Sequence, residues 1–295
     1  MPGIKRYLSL VKFAHTIFAM PFALIGFFLA YSEHSELSFR WELLLLVVLC
    51  MVFARNVAMG FNRYADRDID AQNIRTKERD IPSGKMSPKA ALWFIIINAA
   101  LFCTTCAFIN QLTLLLSPVA LSVVLIYSYT KRFTALCHFV LGLSLAIAPI
   151  GAYISVAGVF AVAPLIYSAI VLLWSAGFDI IYALQDEDFD KEHSLKSIPA
   201  QFGIPKAMLV SNLLHFTVAV LVIFLGIYMS YGLLYIIGAT IFIILLGFQH
   251  LIISPNDLRR INAAFFTTNG IASVVFATFN ILELYFPIAV TSILN

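Results

Sequence analysis

The chain has 295 residues, of which 61% are hydrophobic and only 12% charged, with a net charge of +3. A soluble globular domain carries about 25% charged residues, and a mean hydropathy of +0.92 excludes that class in favour of a polytopic membrane protein. So small a net charge gives no ground for a nucleic-acid partner; the information lies in where the charges sit.

Spanning the hydrocarbon takes about 20 apolar residues. On that basis transmembrane helices are expected near 9–31, 42–64, 90–109, 112–130, 134–156, 164–184, 207–229, 232–253 and 262–290. The fold class is therefore all-α, a bundle of about nine spans. The first stretch is long enough to span and has no small-residue cleavage site, so it reads as a helix rather than a signal peptide. The last stretch is long enough to be kinked. Ser87-Pro88 reads as the cap of the third helix, and Gly203 with Pro205 separates the sixth from the seventh.

Lys and Arg are distributed unevenly between the two sides. Lys5, Arg6 and Lys12 precede the first helix. Arg67, Arg75, Lys77, Arg79, Lys85 and Lys89 follow the second, Lys131 and Arg132 the fourth, Lys191, Lys196 and Lys206 the sixth, and Arg259 and Arg260 the eighth. The opposite side keeps Arg40. By the positive-inside rule these loops face the cytoplasm of a cytoplasmic (inner) membrane.

Two acidic helix ends lie on that face. Asn62, Asp66 and Asp70 follow one another at i, i+4 and i+8, one turn apart on a single helix face. Asp179, Asp186 and Asp190 share a face at i, i+7 and i+11 on the sixth helix. Asp68, Glu187 and Asp188 point off these faces and read as solvated. One heptad before Asn62 stands Arg55, inside the membrane. An unpaired Arg there costs about 2.5–3.5 kcal/mol on insertion scales, so it marks a cavity or a partner.

Carboxylates gathered at this depth call for a cation. Mg²⁺ is the economical choice, because it takes carboxylate oxygens and bridges them to phosphates. Four carboxylates from two helices suit two Mg²⁺ ions and, through them, a diphosphate. Fixed cations for that diphosphate are available in Arg75, Arg79, Lys131 and Lys196. Tyr127 stands one turn before Lys131, so a hydroxyl and an ammonium reach the same region. Loops 66–88 and 186–205 are long for a compact bundle and are expected to close over the site.

The remaining chemistry-bearing residues read as structural. Cys50, Cys103, Cys106 and Cys137 lie inside apolar segments and are taken as buried thiols; Cys103 and Cys106 have redox spacing but no βαβ context. The six histidines show no metal-ligand spacing and receive no catalytic role. An ion-coupled transporter is the main alternative class. Transporters, however, gather binding groups near the midplane, whereas these carboxylates sit at one face beside basic loops.

At these residues the chain resembles the UbiA superfamily of intramembrane prenyltransferases. Asn62, Asp66 and Asp70 match its NxxxDxxxD signature, and Asp186 with Asp190, preceded by Asp179 and Tyr182, its DxxxD signature. Arg75-Thr76, Arg79 and Pro82-Ser-Gly84 resemble the loop between them, and Lys196-Ser197 a later Lys-Ser. Tyr127-Ser-Tyr-Thr-Lys131-Arg132 resembles Tyr-Pro-x-x-Lys-Arg, with Ser128 in place of Pro. His15 to Pro21 and Ala54-Arg55-Asn56 resemble the 4-hydroxybenzoate polyprenyltransferase group.

The resemblance implies one transmembrane domain over residues 1–295, with pseudo-repeated halves of roughly 1–130 and 131–295. It further implies Mg²⁺-dependent transfer of a polyprenyl group from its diphosphate to an aromatic carboxylate. That acceptor is 4-hydroxybenzoate in ubiquinone-type synthesis, or else a dihydroxynaphthoate in menaquinone synthesis. Asn62, Asp66, Asp70, Asp186 and Asp190 would hold the metal. Arg75, Arg79, Tyr127, Lys131, Tyr182 and Lys196 would meet the diphosphate, and Arg55 the acceptor's carboxylate. Asp179 would orient the acceptor hydroxyl or contact the diphosphate region.

Overall fold

The computed structural model describes residues 18–255 and 257–289. His15, the basic residues 5, 6 and 12, and the first half of the expected first helix lie outside them. Among the described residues, nine longer helices cross the molecule. They are α1 (Met20–Glu33), α2 (Trp41–Ala65), α3 (Pro88–Ile109), α4 (Gln111–Thr130) and α5 (Cys137–Ala157), then α6 (Val162–Ala183), α7 (Ile204–Tyr228), α8 (Leu233–Leu251) and α9 (Asn269–Tyr285). Among the described residues, eight helical stretches are long and apolar enough to cross a membrane, and α1 is a shorter apolar helix. The protein is an integral, multi-pass, all-helical membrane protein.

The helix ends follow local chemistry. Ser87 Oγ accepts from the Ala90 N–H at 3.2 Å, with Pro88 in the first turn of α3. Asn110 alone joins α3 to α4: its Oδ1 accepts from Thr113 N–H at 2.8 Å, and its Nδ2 donates to Ile154 O of α5 at 2.9 Å. Gly158 closes α5 at φ +69, a left-handed cap that favours glycine. The Glu283 carboxylate accepts from the N–H groups of Gly232 and Tyr235, filling the start of α8 from α9.

The last stretch is indeed irregular. A π-helical segment, Ala263–Thr268, leads into α9. There Asn269 Nδ2 donates back to Ala264 O and Phe265 O, and its Oδ1 accepts from the Trp174 indole of α6 at 2.9 Å. The widened turn brings Phe265 to the central cavity.

Two groups of helices enclose that cavity. α2, α3 and α4 pack together on one side; α1, α5, α6, α7, α8 and α9 form the other, joined through α4 and α5. The second group holds the main core, built on Phe22, Trp174, Phe178, Phe242 and Phe276. Glycines let its helices touch. A Cβ on Gly26 of α1 would stand 2.0 Å from Pro149 O of α5, and one on Gly142 of α5 would stand 2.3 Å from Leu172 O of α6.

Candidate active site

A cavity of about 420 Å³ runs between α2, α3, α4, α5 and α6. Asp66, Asp70, Asp186 and Asp190 line its polar end, and Val47, Thr113 and Ser155 line the other. At 1.5 Å per residue, Val47 lies roughly 28 Å along α2 from Asp66, close to a bilayer's hydrocarbon thickness. Ala54, Ala58, Ala120, Ala148, Gly151 and Ala152 contribute small side chains to the shaft.

The polar end is a ring of ion pairs. α2 ends at Ala65, and a one-turn helix, Arg67–Asp70, continues its direction. This keeps Asn62, Asp66 and Asp70 at the cavity, as the four-residue spacing requires. Asn62 Nδ2 donates to Asp66 Oδ2 at 3.2 Å, and Arg132 Nη2 to Asp66 Oδ1 at 3.2 Å. Arg79 Nη1 donates to Asp70 Oδ1 at 2.6 Å.

Across the cavity, α6 passes through a 3-10 turn, Leu184–Asp186, into the short helix Glu187–Glu192. Arg75 holds Asp186 with two hydrogen bonds, Nε to Oδ1 at 3.0 Å and Nη2 to Oδ2 at 2.6 Å. The same guanidinium lies 5.6 Å over the Tyr182 ring. Asn73 Nδ2 donates to Asp186 Oδ1 at 3.3 Å. Lys131 Nζ pairs with Asp190 Oδ1 at 3.2 Å. The loop after α2 therefore crosses the polar end and binds the acidic end of α6, while Arg132 and Lys131 at the end of α4 reach Asp66 and Asp190.

Burial pushes the Asp66 carboxyl above its ordinary range, against the pull of the Lys131 and Arg132 cations. Burial also opposes the charge on Lys131, but Asp190 and Asp66 outweigh it and hold the ammonium above its usual range.

Among the described residues no three His, Cys, Asp or Glu side chains converge as a ready metal cage, because each acidic group is matched by a cation instead. The donor set still fits a hard divalent ion. Asp70 Oδ2 is buried with no hydrogen-bond partner, and Asp190 Oδ1, beside the Lys131 ammonium, is buried without accepting a directed bond. A buried carboxylate oxygen without a partner, as Asp70 Oδ2 is, is rare and calls for a ligand.

Of the residues expected from sequence, Arg55, Asn62, Asp66, Asp70, Arg75, Arg79, Tyr127, Lys131, Asp179, Tyr182, Asp186 and Asp190 all line the cavity. Lys196 does not: it is exposed, and its contribution is a backbone N–H donated to Lys131 O at 2.6 Å. Asp68 and Asp188 are exposed, and Glu187 pairs with Lys191. The cysteines are free but not uniformly buried. Cys106 and Cys137 are buried, while Cys50 and Cys103 are half-buried. Cys106 meets Cys50 of α2 at 3.7 Å rather than its sequence neighbour.

The structure adds residues that the sequence reading passed over. Arg63 is 7% exposed and lines the cavity; its position eight residues after Arg55 was the available signal. Asn73 and Thr76, which belong to the loop already matched to the family's, also line it. His138 of α5, denied a role above, faces the cavity with its Nδ1 2.7 Å from Asp179 Oδ2. No spacing in the sequence links those two residues.

These features define a membrane protein with a deep apolar shaft capped by paired acidic and basic side chains. The UbiA prenyltransferase family model matches residues 19–271, and the chain belongs to that family; it is a prenyltransferase. It is 33% identical over 199 residues to the 4-hydroxybenzoate octaprenyltransferase of Francisella tularensis subsp. novicida (strain U112), covering 67% of this chain and 69% of that protein. To the 4-hydroxybenzoate octaprenyltransferase of Aliivibrio salmonicida (strain LFI1238) it is 32% identical over 241 residues, covering 80% and 82%. The apo structure of a UbiA homolog from Aeropyrum pernix K1 superposes with a TM-score of 0.81 at 28% identity, over 92% of this chain and 98% of that one. A UbiA homolog from Archaeoglobus fulgidus bound to GPP and Mg²⁺ shares the fold, with a TM-score of 0.73 at 21% identity over 95% and 99%.

Proposed function

We propose that this protein transfers a polyprenyl group from polyprenyl diphosphate to 4-hydroxybenzoate, with Mg²⁺, in respiratory quinone synthesis. The observation that carries the reading is the ring of four carboxylates and four cations at the mouth of an apolar shaft that also holds Arg55. The polar end is placed at the cytoplasmic face of the cytoplasmic membrane, on the strength of the Lys and Arg asymmetry, and the chain is read as one domain.

Asp66, Asp70, Asp186 and Asp190, with Asn62, would hold Mg²⁺, which when bound supplies Lewis-acid stabilisation of diphosphate oxygens. Arg75, Arg79, Lys131 and Tyr127 receive the charge that grows on the diphosphate as the allylic C–O bond breaks and the electron pair stays with oxygen. The apolar shaft takes the prenyl chain and keeps water from the allylic cation. Arg55 holds the acceptor's carboxylate in a charge-assisted pair. The ring carbon ortho to the hydroxyl then forms the new C–C bond, and the ring proton leaves to restore aromaticity.

The test is an assay in membranes containing the protein, with labelled long-chain prenyl diphosphate and Mg²⁺. 4-Hydroxybenzoate and 1,4-dihydroxynaphthoates are offered in parallel. Mg²⁺-dependent prenylation of 4-hydroxybenzoate is expected. Product with a naphthoate alone would move the enzyme to menaquinone synthesis, and no product with either would overturn the acceptor class.

A further inference from the structure

The structure assigns to His138 a positioning role: it holds Asp179 as the carboxylate that takes the hydroxyl proton of the aromatic acceptor. This rests on the reaction proposed above and adds a residue to it.

His138 is 2% exposed, on the first turn of α5. Its two ring nitrogens have different partners. The Ile198 backbone N–H donates to Nε2 at 3.3 Å, and Nδ1 lies 2.7 Å from Asp179 Oδ2. An amide N–H can only donate, so Nε2 is the bare nitrogen. The ring proton then sits on Nδ1 and is donated to Asp179. One side chain thereby fixes both the tautomer of the imidazole and the rotamer of the carboxylate. Asp179 Oδ2 is occupied by this bond, while the side chain keeps 17% exposure, and Asp179 lines the cavity.

The level of Asp179 matches the acceptor. It lies about 10 Å along α6 from Asp186, and Arg55 lies about 16 Å along α2 from Asp66, at 1.5 Å per residue. Counted this way, both residues line the shaft on the apolar side of the four carboxylates, with Arg55 the deeper of the two. With the carboxylate on Arg55, the hydroxyl arrives at Asp179 and the ortho carbon faces the diphosphate end.

The step balances. Asp179 Oδ1 takes the hydroxyl proton as the ortho carbon attacks the allylic carbon, giving a ring dienone. The ring proton then leaves with the diphosphate, and Asp179 returns its proton to the oxygen. His138 also ties this carboxylate to the loop that carries Asp190, because Ile198 opens the short helix Ile198–Phe202.

Two substitutions separate this role from simple packing. His138→Asn keeps an amide donor near the Nδ1 position; His138→Gln keeps an acceptor for Ile198 and withdraws the donor from Asp179. Each is assayed with 4-hydroxybenzoate and with 3-fluoro-4-hydroxybenzoate, which has one open ortho position and ionises readily in mildly alkaline buffer. With 4-hydroxybenzoate, His138→Gln is expected to lose about tenfold or more in kcat, while KM for the prenyl diphosphate is unchanged and His138→Asn stays near wild type. With the fluorinated acceptor His138→Gln recovers, since the proton is already gone, and that recovery shows the protein folded. Oxygen positional exchange in the prenyl diphosphate without acceptor, which reports ionisation alone, stays at the wild-type rate.

Equal losses in the two variants, no recovery with the fluorinated acceptor, or slowed exchange would each overturn the assignment. A wild-type protein that makes no prenylated 4-hydroxybenzoate would fail the proposed reaction itself, and the assignment with it.

Discussion

Arg75 and Asp186, 111 positions apart, meet as a two-pronged pair with hydrogen bonds of 3.0 and 2.6 Å, and so lock the loop after α2 onto the end of α6. Arg75 is partly exposed, so the pair is worth little as a stability device. Its value lies in presenting five fixed donors at the place where a diphosphate would arrive. Arg75→Ala is expected to lower kcat/KM for the prenyl diphosphate by about 10²–10³, the usual effect of removing one donor from a developing anion. Arg75→Lys should recover only part, because an ammonium has no fork. Steady-state rates in nanodiscs check this, and an unchanged rate would remove Arg75 from the diphosphate site.

Every carboxylate at the polar end is matched by a cation: Asp66 by Arg132, Asp70 by Arg79, Asp186 by Arg75 and Asp190 by Lys131. Such an arrangement would admit a metal with its diphosphate by an exchange of partners in which Asp66, Asp70, Asp186 and Asp190 hold the ion and Arg132, Arg79, Arg75 and Lys131 meet the phosphates. The local charge balance is kept, which limits the desolvation cost. Chelation is therefore expected to abolish turnover and added Mg²⁺ to restore it. Asp190→Asn should require several-fold more Mg²⁺ for half-maximal rate while leaving membrane insertion intact. Activity that persists in excess chelator would refute the metal assignment.

Sequence pattern revealed what is local. Asn62, Asp66 and Asp70 recur every four residues, and the structure keeps them at one cavity because α2 runs nearly unbroken into its next turn. Apolar run length placed the second to eighth helices to within a few residues, whereas the described first helix begins only at Met20 and the last follows a π-helical segment. What was hidden is pairing across helices. His138 and Asp179 stand 41 positions apart on different helices, and each alone resembles many buried or interfacial residues. Lys196 shows the reverse error: a basic residue in the right loop, beside a family-like Ser, points outward because its backbone rather than its side chain is used.

Gly142 sets the spacing of the two helices that carry His138 and Asp179. A Cβ there would stand 2.3 Å from Leu172 O, a backbone atom with nowhere to retreat. Gly142→Ala should therefore destabilise the protein by about 1–3 kcal/mol, the usual cost of overpacking. It should also lower prenylation through the displaced carboxylate. A thermal melt in detergent reads the first effect and the product assay the second. A melt equal to wild type would mean that α5 and α6 can separate without cost.

Gly151 offers the opposite case. It also lies on α5 and lines the shaft, but a Cβ there would meet only Ile147 Cγ2, at an ordinary 3.8 Å. A larger side chain is therefore accepted by the helix and projects into the cavity, well below the polar end. Gly151→Leu should leave the melt near wild type and spare short donors such as geranyl diphosphate, whose tails end above it. Long-chain donors must pass that level and should lose roughly 10–200-fold in kcat/KM, the penalty for one misplaced apolar group in a hydrophobic pocket. A donor-length series on wild type and variant measures this. If the length preference does not change, the prenyl chain leaves the shaft toward lipid before it reaches Gly151, and the lower shaft formed by Val47, Thr113 and Ser155 takes no part in donor selection.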